Sequence, residues 1–334
     1  AMACEKKEGQ TEIIKEKVSG LVQKGPYING TSVEMFELNS SLEQTGNVFS
    51  TQITDNKGSF ELNNVALSSS YVEFAANGFY FDEVEGEISP APLNLYALSD
   101  ITDISTINVN ILTHLEKRRV EYLINNDENF AEAKTISQSE IIAIFGFDKA
   151  EMQNSETLDI SVNNDDNAIL LAVSLILQGE RSVGDLTELL AGISTDIYQD
   201  GTLNDVAIMS DLRSSTIELN LQNIRENLVA RYESLGITAT IPNFEKYIAD
   251  FLVFTAEEPT SETITATNIT SISATLNGTV NPNSTSTIVT FEYGETSDYG
   301  NSVDADQSPV SGDINVDVNS DISNLSPGIE YHFR

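Results

Sequence analysis

The chain has 334 residues, of which 40% are hydrophobic, enough for roughly two or three domains with cores of their own. Its formal net charge of −35 at pH 7 excludes nucleic acids and anionic membrane surfaces as partners, because both are negatively charged. The one basic run, Lys117–Arg119, is too short to reverse this field, and we expect it on a solvated helix face. A single cysteine, Cys4, excludes a disulfide within the chain, and no apolar stretch reaches transmembrane length.

The first residues predict a lipid anchor. Ala1–Ala3 is typical of a cloning remnant, and the sequence after it begins with Cys4 followed by charged residues. A mature bacterial lipoprotein starts with a cysteine whose sulfur carries lipid, so we expect lipidation of Cys4 and a polar tether up to Lys17. A stray surface cysteine is the alternative. The charges after Cys4 also resemble the surface-export signals of Bacteroidetes lipoproteins, which implies a surface-exposed location on a bacterial outer membrane.

The pattern of residues 18–98 predicts a β-sandwich. Short runs of β-branched and aromatic residues alternate with Gly, Asn, Pro and Ser at intervals of about ten residues, which favours antiparallel sheets over βαβ units. The predicted strands are 18–23, 32–38, 48–54, 59–62, 71–76 and 93–98.

The segment Thr54–Phe60 predicts a tight turn, in which Gly58 has a positive φ and Phe60 enters the core. With Val18–Val22, this T-D-x-x-G-x-F pattern resembles the carboxypeptidase regulatory-like, transthyretin-type sandwich. In that family the domain is a non-catalytic module, so the resemblance implies no peptidase activity. The Phe79–Phe81 cluster predicts core packing, with a binding platform as the alternative.

Between residues 99 and 256 the hydrophobic period changes to about 3.6, which predicts an all-α bundle of about seven helices. Its central helix is Ala168–Leu177, which is apolar on every face, follows the capping side chains of Asn163–Asn167 and ends at Gly179. Ser182 begins a capping box, and Glu116–Arg119 should lie away from the apolar stripe of the first helix. The other predicted helices lie near 111–123, 130–145, 182–193, 204–219, 221–235 and 244–254.

The sequence shows no catalytic constellation. Nucleophilic catalysis needs a base beside Ser or Cys, and the two histidines are His114, in the helical region, and His332. His114 lies between Leu112 and Leu115, which is typical of a structural histidine rather than a metal ligand. The 52 acidic residues do not define a glycosidase pair by their abundance. We therefore predict a protein that is not an enzyme.

Two segments have some features of a calcium site. Asp196–Gly201 begins like an EF-hand loop, but Tyr198 stands where an oxygen ligand belongs, so a polar turn is the better interpretation. Calcium held by Asn163, Asp165 and Asp166 is a weak alternative to plain capping of the central helix. We predict no other metal or cofactor.

In residues 257–334, apolar and polar residues alternate again after the linker Glu257–Pro259. This pattern predicts a second β-sandwich. Its predicted strands lie within 264–276, at 288–293 and at 314–318. The side chains expected to face inward are Ile314, Val316, Val318 and Ile322.

Leu325–Tyr331 resembles a tyrosine corner, in which the phenol bonds to nearby backbone. With Leu276–Pro282 and Phe291–Gly294, it resembles a bacterial fibronectin type III domain. That family places a further strand after Tyr331–Phe333, so we expect a truncated domain whose native chain continues.

Together these features predict a non-catalytic surface lipoprotein that serves as an adhesion, binding or display stalk. Asn167–Ser174 and Ile241–Tyr247 also resemble segments of Bacteroidetes surface lipoproteins, a resemblance that implies no activity. The alternative is a glycan-binding accessory protein of a polysaccharide-uptake system, acting through exposed aromatic residues such as Tyr71, Tyr80 or Tyr293. The expected partners are the membrane, through the lipid, and a surface glycan or protein; no particular ligand or oligomeric state is predicted.

Overall fold

The computed structural model describes residues 12–149, 151–283 and 285–334. They form two compact units divided between Phe254 and Thr255. Within these residues the first unit contains nine strands and seven α-helices, and the second contains six strands. The chain therefore has a mixed β/α architecture with several sheets.

Two main sheets form the N-terminal part of the first unit, with strand orders β4-β1-β9 and β3-β2-β5-β8, and β6 pairs with β7. All six predicted strands are present, most of them longer than predicted. Val18, Val33 and Phe74, which come from both main sheets, belong to one buried cluster. The strands are β1 (Ile13–Gln23), β2 (Ser32–Leu38), β3 (Gln44–Gln52), β4 (Ser59–Leu67), β5 (Tyr71–Gly78), β6 (Phe81–Asp82), β7 (Glu87–Ile88), β8 (Leu93–Asp100) and β9 (Val109–Asn110).

The turn before β4 forms as predicted. Gly58 has a φ of +84°, a conformation that costs glycine little. Asp55 accepts hydrogen bonds from the backbone N–H groups of Lys57 and Ser59 at 2.9 and 3.3 Å. Phe60 then enters the buried cluster with 4% of its surface exposed. These local hydrogen bonds determine where β4 begins.

The helical part is organised around α3, in which every residue from Asp166 to Gln178 is buried. The side chain of Asn164 accepts from the Asn167 N–H at 2.8 Å, and Gly179 ends the helix at a φ of +48°. The residue that caps α3 therefore belongs to the predicted capping segment, residues 163–167. Ser182 caps the next helix, as predicted. The helices are α1 (Ile111–Asn125), α2 (Phe130–Ile144), α3 (Asp165–Gln178), α4 (Val183–Asp196), α5 (Val206–Ile217), α6 (Leu221–Ser234) and α7 (Phe244–Phe254).

Packing is continuous from the sheets into the helices. Leu95 of β8, Leu112 of α1 and Leu171 of α3 belong to the same buried cluster. The short strand β9 pairs in parallel with the end of β1. The boundary that the sequence suggests after residue 98 therefore does not separate two cores, and the sheets and helices fold around a common interior.

The expected solvated basic face on α1 is wrong. Arg119 is 6% exposed, and its guanidinium pairs with Glu140 at 2.7 Å. Lys117 is half-buried and pairs with Glu121 at 2.7 Å. Glu116 is buried as well, so only Arg118 among these four neighbours is exposed. The reason lies in the tertiary structure, because other helical segments cover the polar face of α1, outside its apolar stripe. The charged side chains that are buried there are paired.

The second unit has two three-stranded sheets, with orders β10-β11-β14 and β13-β12-β15. Leu276, Phe291 and Val318 lie in its own buried cluster. Strand β13 has no counterpart among the predicted strands. The strands are β10 (Thr260–Thr267), β11 (Ser273–Asn281), β12 (Thr290–Gly294), β13 (Asn301–Asp304), β14 (Val316–Ser323) and β15 (His332–Phe333).

The inward face predicted for β14 is correct in part. Val318 and Ile322 are buried and Val316 is half-buried. Ile314 is 71% exposed, so its predicted inward position is wrong, because the strand begins two residues later and Ile314 lies in the preceding loop. The predicted tyrosine contact is present, since the Tyr331 hydroxyl accepts from the Ser326 N–H at 3.1 Å.

A buried ion pair allows a test of the common interior. The side chains of Lys24 and Glu83 are fully buried, 2.7 Å apart, and burial raises the pKa of Glu83. Lys24→Met should destabilise the first unit by about 3–5 kcal/mol, because it leaves the Glu83 carboxyl buried without its cation. Urea unfolding followed by the helical circular-dichroism signal measures this loss.

Lys246→Met is the matched control. Lys246 and Asp250 form a pair 3.7 Å apart in which both side chains are more than half exposed, so its loss should cost less than about 0.5 kcal/mol. Equal losses for the two variants would contradict a shared interior that depends on the Lys24–Glu83 pair.

Candidate functional site

An open groove of about 820 Å³ lies in the first unit and is the candidate functional site. One group of lining residues comes from the end of β3 and the turn after it. A second group comes from the segment before α3 and the first turn of α3, and residues of β1, of β4 and of the segment before β9 complete the lining. The residues used below are Lys17, Leu21, Thr51, Gln52, Thr54, Asp55, Glu61, Asn108, Gln153, Asp159 and Asn167.

Amide side chains attach the segment before α3 to β1. Asn108 accepts from the Leu21 N–H at 2.8 Å through Oδ1 and donates to the Leu158 carbonyl at 2.9 Å through Nδ2. Asp159 Oδ1 accepts from Gln23 Nε2 at 2.9 Å. The Asp159 N–H in turn donates to Asn167 Oδ1 at 2.9 Å. These hydrogen bonds hold the lining in one geometry without a ligand.

Other polar groups of the lining have no such structural task. The side chains of Thr51, Gln52, Thr54 and Gln153 make no hydrogen bond to any residue that the structure describes. Amides and hydroxyls both donate and accept, so this set suits a ligand rich in polar groups of both kinds.

The charge of the groove disfavours anionic ligands. Asp55, Glu61 and Asp159 contribute three carboxyl groups, and Lys17 is the cation among the lining residues. Lys17 pairs with Glu61, and the hydrogen bond from Lys17 lowers the pKa of that carboxyl. A phosphate or carboxylate ligand would therefore meet uncompensated negative charge.

The aromatic residues suggested for sugar stacking do not form a site. Tyr80 is fully buried and its hydroxyl donates to Gln178 Oε1 at 3.2 Å, so the prediction of an exposed Tyr80 is wrong. In the same cluster Phe79 is 42% exposed, but Phe81 is only 6% exposed. Tyr71 is half-buried, with its ring 4.9 Å from that of Phe130. Core packing is thus the correct interpretation of Tyr80 and Phe81.

Tyr293 is half-buried on β12 of the second unit and does not line the groove. The polar residues that do line it were missed at the sequence level. Gln52 and Gln153 lie far apart in the chain and belong to no motif, so only their distance in the fold could have identified them.

The residues suggested for calcium do not fit a calcium site. Asn163 and Asp165 are exposed at the start of α3. Both oxygens of Asp166 are engaged, Oδ1 by Lys149 and Oδ2 by the Gln153 N–H at 3.0 Å. Among the residues that the structure describes, no group of three or more His, Cys, Asp or Glu side chains could hold a metal ion. The ion pair with Lys149 accounts for Asp166, and the cap of α3 is Asn164.

The turn interpretation of Asp196–Gly201 agrees with the structure. Arg119 donates to the carbonyl oxygens of Tyr198 and Gln199 at 3.3 and 2.6 Å. Asp200 accepts from the Thr202 N–H at 3.0 Å. A protein cation thus binds the carbonyls of this loop.

His114 lies on α1 and does not line the groove. Its ring packs on Tyr96 with centroids 5.6 Å apart, and its buried Nδ1 has no hydrogen-bond partner among the described residues. Burial, with a smaller effect of Lys117, lowers the pKa of His114 to about 4. These contacts fit a structural histidine, as its leucine neighbours predict.

Comparisons with known proteins do not assign the groove to a function. No protein-family model matches the chain, and no curated protein matches it. Cys4, the predicted lipidation site, lies outside the residues that the structure describes. Within the described part of the chain, no helix has both the length and the apolar character needed to cross a membrane.

The pKa of His114 predicts a specific acid sensitivity. The folded value of about 4 lies below the unfolded value of about 6.5, so the unfolded state binds a proton that the folded state does not between these pH values. Stability should therefore fall by as much as about 3 kcal/mol as the pH drops through this interval, and be unaffected by His114 above it.

Urea unfolding of wild type and His114→Leu at several pH values measures this effect. The variant should lose less stability than wild type over the same interval. His332→Gln changes an exposed histidine of the second unit and should leave the difference unchanged. If wild type and His114→Leu lost the same free energy of unfolding over this pH interval, His114 would not be the cause of the acid sensitivity.

Proposed function

We propose that the protein is a non-catalytic, lipid-anchored protein of the bacterial cell surface that binds a polar ligand in the groove and displays it or an attached module. The observation that supports binding most directly is a groove with a rigid hydrogen-bonded frame and unengaged amide and hydroxyl side chains. Among the described residues that line the groove there is no histidine or cysteine, and the Oδ1 atoms of Asp55 and Asp159 accept structural hydrogen bonds.

We also propose the finer architecture: a transthyretin-type, carboxypeptidase regulatory-like sandwich, an all-α region and a fibronectin type III-like sandwich. The turn at Gly58 and the burial of Phe60 support the first assignment. The Tyr331–Ser326 hydrogen bond supports the last. A fold of either kind does not assign a function by itself, so the binding proposal rests on the groove.

Lipid attachment at Cys4 can be tested in the native host, with the protein expressed from its natural gene. Wild type should incorporate an alkyne-labelled fatty acid, fractionate with the outer membrane and be degraded when intact cells are treated with protease. Cys4→Ala should lose the label and leave the outer-membrane fraction, because the lipid carried by this cysteine supplies the attachment.

Thr11→Ala changes another residue of the expected tether and should behave as wild type. A Cys4→Ala protein that keeps both the label and the membrane location would contradict the anchor.

The second candidate is glycan binding in a polysaccharide-uptake system. It is favoured by the unengaged groups of Thr51, Gln52, Thr54 and Gln153, because sugar hydroxyls also donate and accept. The carboxyl groups of the lining favour neutral over acidic glycans.

Calorimetric titration of the full chain with cello-, xylo-, manno- and maltohexaose tests this candidate. A neutral oligosaccharide should bind, and Gln52→Ala with Gln153→Ala should weaken binding at least about fivefold, since two hydrogen bonds contribute about 1–3 kcal/mol. Gln44→Ala, at the exposed start of β3, is the control. If no oligosaccharide binds, or if the groove variant binds as tightly as wild type, glycan binding in the groove is contradicted. The test of lipid attachment at Cys4 does not depend on this result.

A further inference from the structure

The strongest feature outside the groove is a buried cluster of one amine and two carboxyl groups in the helical part of the first unit. Lys134 of α2 lies with Nζ 2.5 Å from Glu116 Oε2 of α1 and 3.0 Å from Glu156 Oε2. All three side chains are at least nine-tenths buried, with 9%, 1% and 5% of their surface exposed. One carboxylate is enough to pair with one lysine. Neither the stability of the fold nor the groove therefore requires the second carboxyl group.

Ser155 completes the cluster. Its hydroxyl donates to Glu116 Oε1, the carboxyl oxygen that Lys134 does not contact. The Ser155 hydroxyl also accepts from Gln138 Nε2 at 2.9 Å, and the Ser155 carbonyl accepts from Asn110 Nδ2 at 2.7 Å. The donor to Glu116 is therefore fixed in place.

We propose that this cluster is a self-modification site, at which Lys134 and Glu116 condense to an amide that covalently joins α1 to α2. Each component has the position that this reaction needs. Glu116 supplies the electrophilic carbon, Ser155 polarises its carbonyl oxygen, and Glu156 is the base next to the amine. The fold holds Lys134 Nζ 2.5 Å from Glu116 Oε2, one bond from the electrophilic carbon, and proximity of aligned groups can be equivalent to about 10⁵–10⁸ M of reactant.

The reaction balances without any further reagent. The Lys134 ammonium gives one proton to the Glu156 carboxylate, and the resulting amine attacks the carboxyl carbon of the protonated Glu116. The C–OH bond of Glu116 breaks, its oxygen leaves as water with a proton from the nitrogen, and an Nζ–Cδ amide remains. Glu156 ends protonated. Burial raises the pKa of Glu116, which favours the protonated electrophile at the start. Burial by itself lowers the pKa of Lys134, but Glu116 and Glu156 outweigh it and raise that pKa, so proton transfer to Glu156 is the step that limits the reaction.

Burial also favours the product. In water, a solvated ammonium and carboxylate are more stable than an amide, but this cluster lacks that solvation. Condensation replaces buried charges with a neutral amide and releases water from the interior. The Lys24–Glu83 pair provides an internal comparison, since Lys24 contacts one carboxyl group among the described residues and has no second one to serve as base. We expect no amide there.

The intact mass of the purified full chain tests the proposal. Wild type should be about 18 Da lighter than its sequence requires, the mass of one water. After denaturation and proteolysis, tandem mass spectrometry should find a branched peptide joining the Glu116 and Lys134 segments. Lys134→Arg and Glu156→Gln should both have the full sequence mass, whereas Lys24→Met should remain about 18 Da light.

The wild-type result alone decides the proposal, even where a variant fails to fold. A wild-type mass equal to the sequence mass after prolonged incubation at neutral pH overturns it. So does a mass deficit that maps to an aspartate succinimide rather than to the branched peptide. An amide that still forms in Glu156→Gln overturns the role of Glu156 as base.

Discussion

Burial of α3 on every side is the constraint on which the first unit depends. A helix that is apolar all round is stable in water only when other elements cover each face. The sheets and the remaining helices do so together, which explains why Leu95 and Leu112 share one interior with Leu171. Two side chains of α3 carry polar groups into this interior. Ser174 donates to the Lys24 carbonyl at 3.3 Å, and Gln178 accepts from Tyr80.

The same burial traps ionised groups, and the fold pairs several of them with an opposite charge. Lys24 pairs with Glu83, Lys134 with Glu116 and Glu156, and Arg119 with Glu140. Desolvation offsets much of the Coulombic attraction in such pairs, so their main effect is to penalise other arrangements of the helices. In a chain with a net charge of −35, three of the scarce cations, Lys24, Arg119 and Lys134, are buried next to carboxyl groups.

The groove follows from the way in which β1 joins the two parts of the unit. Gly20 allows this approach, because a Cβ there would lie 1.7 Å from the Ile107 carbonyl oxygen. Asn108 then ties β1 to Leu158 through both ends of its amide. The polar lining is therefore held by elements whose packing is required for folding, and a ligand would meet a site that is already ordered.

Local structure can be predicted from the sequence alone: most of the longer strands, the turn at Gly58 and the caps at Asn164 and Ser182. These depend on hydrophobic period, backbone conformation and hydrogen bonds within a few residues, all of which are written in adjacent positions. The tertiary structure, in contrast, buries Arg119, which the sequence places on a solvated helix face. It alone also brought Gln52 and Gln153 into one groove. These properties depend on which distant segments cover a surface, and no local pattern contains that information.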